Sequence, residues 1–345
     1  MTALVPVATL RRGGFAESHH FAAAAAVTPD GRLVARLGEP SFPVIVRSAA
    51  KPLQALPLLE AGGAERFALD DADLALVCAS HSGTPEHAER ARSLLARGGF
   101  TPDDLQCGAH RPFDDAAARA LDDAGEAPTP LHNNCSGKHA GMLLACRLLD
   151  LPTGGYLEPD HPLQRLVLRR VALFTGVAEE DVGVAVDGCS APTFHLPLAA
   201  LARAYAALVA PGMAPAVTAA DGGAPAAAAA RVVAAMTGRP DMVAGPGRVT
   251  TRLMTATGGR ILGKEGAEGV YAVGVRGPVA LGVALKIADG STRGRDGVVL
   301  ELLRQLGVLS AAEMDALADL RRPVVRNHRG LEVGEVVPDF ELEEA

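Results

Sequence analysis

The strand-like segments of this 345-residue chain lie near its two ends, and the helix-like segments lie between them. Strands need partners for their backbone N–H and C=O groups, so the two ends have to meet in one sheet. Residues 21–34 read as two short strands joined by the Pro29-Asp30-Gly31 turn, and residues 42–47 as a third. Helical spacing marks residues 52–60 and 85–97, the second with Thr84 as N-cap and Pro85 at the first helical position. It recurs over residues 138–149, 161–174, 196–209 and 225–236. Residues 260–262, 270–275 and 279–287 return to strand patterning before an amphipathic helix at 295–306. Residues 211–230, rich in Ala, Pro and Gly, read equally as a loop or as a helix of biased composition. The expectation is an α+β fold in a single unit, residues 1–345. Its N- and C-terminal strands (about 1–60 and 255–345) share a sheet, and a mostly helical part spans about 61–254.

Composition narrows the function. Trp is absent and aromatic residues make up 3% of the chain, so the core has to be built from Leu, Val and Ala, and a base-stacking nucleic-acid surface is not expected. A net charge of -7 argues against tracking phosphates. No stretch approaches the roughly 18 apolar residues of a membrane span, and Arg11, Arg12 and Glu17 interrupt any export signal at the start. Five irregularly spaced cysteines fit reduced thiols in the cytoplasm better than a disulfide framework.

Of 33 basic residues only four are lysines, namely Lys51, Lys138, Lys264 and Lys286. Ordinary positive charge is thus written as Arg here, and only lysine sheds its proton readily enough to act as base or metal ligand. Lys51 closes Arg47-Ser48-Ala49-Ala50-Lys51, whose Ser-x-x-Lys spacing can put hydroxyl and amine on one helical turn. The plain alternative is a capping serine with a solvated lysine, and Pro52 biases Lys51 toward the helix entrance. Ser80-His81-Ser82-Gly83 follows an apolar run, and Gly263-Lys264-Glu265-Gly266 follows a strand. The order 48–51, 80–82, 264–266 is similar to that of the Ser-x-x-Lys, Ser-x-Asn and Lys-x-Gly elements of penicillin-recognising serine enzymes. Lys286 and the His19-His20 pair read as structural.

Two of the three asparagines, Asn133 and Asn134, sit in His132-Asn133-Asn134-Cys135-Ser136-Gly137-Lys138-His139, and Asp187-Gly188-Cys189-Ser190 follows about 54 residues later. Two thiols, a carboxylate and two imidazoles on small-residue turns suit zinc, although the spacing is not a standard one. Two reduced cysteines packed beside a helix start are the alternative.

Taken together, residues 47–57, 78–83, 132–141, 187–192 and 263–270 resemble the rhizobial-type L-asparaginases, and the match runs from about Glu17 to Asp289. The resemblance implies a fold similar to serine β-lactamases and serine-type glutaminases, usually as a homodimer, and hydrolysis of L-asparagine to L-aspartate and ammonia. It implies two Ser-Lys tandems, Ser48 with Lys51 and Ser80 with Lys264, and a zinc ion (Zn2+) held by Cys135, Lys138 and Cys189 near Asp187. Arg47, His81, Asn133, Asn134, His139 and Asp187 border these motifs and are the expected substrate-binding residues. Glu265 departs from the family pattern and is expected to favour the charged form of Lys264.

The mechanism expected on this footing is nucleophilic amide hydrolysis, with Ser48 attacking, Lys51 as its base and the Ser80-Lys264 pair relaying protons. A glutaminase or a penicillin-type acyl-serine hydrolase is the alternative within the same chemistry. A non-catalytic zinc or redox-sensing protein built on Cys135 and Cys189 is the alternative outside it.

Overall fold

The computed structural model describes residues 3–345. Strands β1 (Val5–Arg12), β2 (Phe15–Val27) and β3 (Leu33–Leu37) open the chain, and β4 (Pro43–Ile45) leads to the first serine motif. Strands β5 (Gly183–Val186) and β6 (Pro192–Pro197) interrupt the helical middle. Strands β7 (Ile261–Glu265), β8 (Val270–Val275), β9 (Leu281–Ile287), β10 (Val324–Arg326), β11 (Glu332–Pro338) and β12 (Glu343–Glu344) follow it. Nine of them form one sheet in the order β10-β11-β1-β2-β9-β8-β7, with β3 beside β2 and β12 beside β3. Every pairing is antiparallel.

The expected α+β architecture, with N- and C-terminal strands in one sheet, is therefore borne out, and the junction is β2 against β9. Thirteen residues long, β2 pairs with β1 along its first part and β3 along its last, while Ala22 to Val27 face Ile287 to Gly282. The alanines of β2 alternate between two cores, as period-2 geometry requires. Ala23 and Ala25 join the large cluster that includes Leu198, Leu201 and Leu208 of helix Leu198–Val209. Ala22, Ala24 and Ala26 join a second cluster with Val298, Val299 and Leu302 of helix Thr292–Gln305.

Some expectations needed correction. The segment read as a third strand of the first sheet, β4, instead pairs with β6 in a separate three-stranded sheet, β4-β6-β5, within the helical part. Strands β1 and β10 to β12 were not expected: β10 and β12 are three and two residues long, and β1 ends on the exposed Arg11 and Arg12. The helix expected at 52–60 is broken into Lys51–Gln54 and Leu56–Glu60, because Pro57 removes a backbone donor. Residues 211–230 split into short turns and the start of helix Ala224–Gly238. Among the described residues no helix is long and apolar enough to cross a membrane.

Close backbone approach holds the sheet to the helical part. Gly274 and Gly282 stand opposite each other on β8 and β9, beneath helix Leu198–Val209. A Cβ on Gly282 would stand 1.8 Å from the Ala202 carbonyl oxygen, and one on Gly274 would be 2.8 Å from that of Tyr205. The same helix donates the Tyr205 hydroxyl to the Ala49 carbonyl at 2.8 Å, pinning the turn that carries Ser48. Gly282→Ala is therefore expected to force this helix off the sheet, costing about 1–3 kcal/mol or more as overpacking. A thermal melt indistinguishable from wild type would refute this account of the helix-sheet contact.

Candidate active site

Four segments meet where the helical part abuts β7. The turn Arg47–Ala50 brings Ser48, and the helix start Lys51–Gln54 brings Lys51. The loop after helix Asp71–Val77 brings Ser80, whose N–H is donated to the Val243 carbonyl at 2.9 Å. Strand β7 brings Lys264, and Asn134 lies just before helix Ser136–Leu148. That last helix approaches Asp71–Val77 at Gly137, where a Cβ would lie 2.3 Å from the Leu76 carbonyl oxygen.

Both lysines converge on one hydroxyl. Lys264 Nζ lies 2.7 Å from Ser80 Oγ, and Lys51 Nζ donates to the same oxygen at 3.1 Å. Each lysine is 1% exposed. Lys51 also donates to the carbonyls of Ala79 and Asn134, at 2.5 and 3.3 Å, and Lys264 to that of Glu265 at 2.9 Å. Ser48 and Ser80 both line a cavity of about 190 Å³, together with Asn134, Arg248, Glu265 and Arg295. The half-buried Ser48 hydroxyl makes no hydrogen bond among the described residues, and none joins it to Lys51. The Ser-x-x-Lys spacing thus brings both groups to one place, but the Lys51 amine is drawn inward by two carbonyls and Ser80. Arg47, just before Ser48, holds φ at 49°, a strained value for a side-chain-bearing residue.

Burial, then the charge of Lys51, drives the Lys264 pKa well below the usual lysine value. Glu265 does favour the charged lysine, as expected, but it is outweighed. The reason is that its carboxylate is already committed. Arg295 donates to it at 2.9 Å, and Arg248 donates to its other oxygen. Burial acts to raise the Glu265 pKa, but the two guanidiniums win and hold the carboxylate ionised, below its ordinary value. Arg295 is 5% exposed and also pairs with Asp296 at 2.7 Å. Arg248 and Arg295 were not singled out from the sequence, where 29 arginines make any one of them unremarkable.

A sulfur cluster adjoins this cavity behind Asn134. Lys138 Nζ donates to Cys189 Sγ at 2.9 Å. Burial disfavours the Lys138 charge, but Cys189 and Cys135 outweigh it and raise its pKa above the ordinary value. A hydrogen bond from Cys189 draws the Cys135 thiol well below its usual pKa, aided by Lys51 and Lys138 and opposed by burial. The donor set suits zinc, since two sulfurs and an amine converge, and the buried Nε2 of His139, beside Cys189, lacks a hydrogen-bond partner. Among the described residues no three His, Cys, Asp or Glu groups are disposed to hold a metal, so a site here depends on Lys138.

The other expected residues are placed unevenly. Arg47 donates its Nε–H to Asp187 at 2.6 Å, beside the sulfur cluster and outside the walls of the serine cavity. The Lys138 ammonium and Arg47 hold the Asp187 pKa low against the opposing effect of burial. His81 is fully buried, accepting from the Gly83 N–H at 3.1 Å and hydrogen-bonded to Ser136 Oγ at 2.9 Å. Asn133 ties loops together through the carbonyls of Cys107 and Gly108. His139 is hydrogen-bonded to the Tyr156 hydroxyl at 2.8 Å, and burial, then the charge of Lys138, lowers its pKa to about 4. Of the six expected substrate-binding residues, Asn134 lines the cavity directly.

Comparison with solved structures gives distant matches. The crystal structure of Mglu in its native form is 17% identical, with 84% of this chain and 66% of that chain covered and a TM-score of 0.36. Mglu in its glutamate form is 17% identical over 83% of this chain and 61% of that one, at a TM-score of 0.35. The chain therefore spans slightly under two thirds of the length of these structures. No curated protein matches it. The family model described as L-asparaginase II matches residues 8–338, which is nearly the whole chain and includes all four serine and lysine positions, so the chain belongs to the L-asparaginase II family.

Proposed function

We propose that this protein is an amidohydrolase that converts L-asparagine to L-aspartate and ammonia through an acyl-serine intermediate. The observation that carries this reading is the Lys51–Ser80–Lys264 chain, 3.1 and 2.7 Å long at its two links, in the wall of a cavity that Ser48 also faces. Two buried amines this close cannot both stay charged at low cost, so they share one proton. Ser80 conducts it. Lys51 gives a proton to Ser80 Oγ while Ser80 gives its own to Lys264, leaving Lys51 neutral and Lys264 charged. Lys51 then takes the proton of Ser48 as the Ser48 oxygen bonds to the side-chain carboxamide carbon. The tetrahedral oxyanion lies at the start of the Arg47–Ala50 turn, whose first N–H groups lack intrahelical partners. Collapse expels ammonia with the proton returned from Lys51, and a water deprotonated over the same relay cleaves the ester to aspartate.

Cys135, Lys138 and Cys189 would hold zinc, which would supply a positioning element next to Asn134 with its charge largely neutralised by the two thiolates. Binding it requires Lys138 to lose its proton. The reading includes a cytoplasmic homodimer, supported for compartment by five cysteines that are all free thiols.

Ser48→Ala should abolish ammonia release from L-asparagine, and wild-type protein quenched during turnover should show an acyl adduct on Ser48 by peptide mass spectrometry. An adduct on Ser80 would reverse the two serine roles. Ammonia from L-glutamine alone, or turnover of a β-lactam alone, would replace the substrate. No ammonia from any amide, with thiol-dependent zinc binding retained, would favour the non-catalytic reading. Cys135→Ala should lower the zinc content of protein purified without chelator, and equal metal in both proteins would remove the zinc assignment.

The Lys264 amine also makes a pH prediction. Its folded-state pKa is depressed, so between that value and 10.5 the unfolded chain binds more protons than the folded one, and stability rises with pH. Lys264→Met should remove a slope of at most about 1.4 kcal/mol per pH unit. Parallel urea-unfolding curves for the two proteins from pH 7 to 10 would contradict the depressed pKa.

A further inference from the structure

The serine cavity has an arginine that its own fold leaves underused. Arg248 lines the cavity with a side chain 29% exposed. It sends one Nη2 proton to Glu265 and one Nη1 proton to Ser82 Oγ at 3.4 Å. Its Nε–H and a second proton on each Nη have no partner among the described residues. Phe113, another wall of the cavity, lies under the guanidinium with 5.9 Å between its ring centroid and the Arg248 Cζ. Arg295, by contrast, is spent: it donates to Glu265, Asp296 and the Gly266 carbonyl. Glu265 therefore works as a strut, balanced from behind by Arg295 and presenting Arg248 forward. A guanidinium over a ring, anchored by Glu265 and with three N–H donors left in the wall of a small cavity, can take a planar anion in two parallel hydrogen bonds.

We propose that Arg248 binds the α-carboxylate of the substrate and thereby sets the site's preference for amides that carry an α-carboxylate over amides that lack one, with Glu265 as its positioning residue. This rests on the asparagine-hydrolysing reading for the identity of the ligand. Ser48 and Arg248 then hold the two ends of one small amino acid within about 190 Å³, carboxamide at the serine and carboxylate at the guanidinium. Arg47, the arginine that motif position suggests for this task, is engaged by Asp187.

The experiment pairs binding with turnover. L-aspartate binding is measured by calorimetry to wild type, Arg248→Ala and Arg248→Lys, and kcat/KM is measured for L-asparagine and for 3-aminopropanamide, which is asparagine without its α-carboxylate. Arg248→Ala should weaken aspartate binding about 10- to 100-fold, the range of a charge-assisted bond. It should also shrink the preference for asparagine over 3-aminopropanamide by a similar factor, and Arg248→Lys should restore part of both, with all three proteins melting as folded. Wild-type aspartate affinity in Arg248→Ala, or an undiminished preference, overturns the assignment even if asparagine hydrolysis stands. Arg248-dependent aspartate binding without ammonia release from any amide upholds the carboxylate site and sinks the hydrolytic reading instead.

Discussion

Two amines packed against one hydroxyl, away from water, are the constraint from which the site's chemistry follows. Lys51 and Lys264 are as buried as the leucines around them, and Lys51 is the charge that acts most strongly on the Lys264 amine. A free lysine is almost wholly protonated at neutral pH and useless as a base. Burial and the charge of Lys51 change that for Lys264, and the Ser80 oxygen lies within hydrogen-bond distance of both amines. Glu265 stands one residue from Lys264 and would undo the arrangement if its charge were free. Arg248 and Arg295 absorb that charge.

Such a site needs rigid walls, and the fold provides them with small residues. The alanine run of β2 lets helices pack on both faces of the sheet, and Gly274 and Gly282 let helix Leu198–Val209 touch the β8-β9 backbone. Tyr205 on that helix fixes the Ala49 carbonyl, one residue from Ser48. Gly137 lets the helix that starts at Ser136 close on the one that delivers Ser80. A core poor in aromatic bulk is thus suited to bringing backbones within contact, and the positions of Ser48, Ser80, Lys51 and Lys264 depend on those contacts.

How far the site was legible differs from residue to residue, for physical reasons. Lys51 and Lys264 stood out because lysine is rare in this chain, and Cys135 and Lys138 because scarce residue types cluster there. Hydrogen-bond pairing was legible in part: the expected Ser80-Lys264 couple is present at 2.7 Å, whereas the Ser48-to-Lys51 spacing suggested a local couple and the Lys51 amine instead reaches Ser80, 29 residues away. His81, Asn133 and Arg47 looked available beside the motifs, but each is taken by a neighbour that only folding supplies. Arg248 gave no signal at all, being one arginine among 29.

The sequence by itself determined the class of the fold and the inventory of the chemistry. Strand patterning at both ends dictates that the ends meet, and an Arg-dominated basic set leaves four amines to account for. The tertiary structure alone decided which groups are partners and which are charged. Pairing depends on which backbones can touch, set here by glycines such as Gly282 and Gly137, and protonation depends on water access and on charges from distant parts of the chain. Neither quantity is a property of local order along the polypeptide.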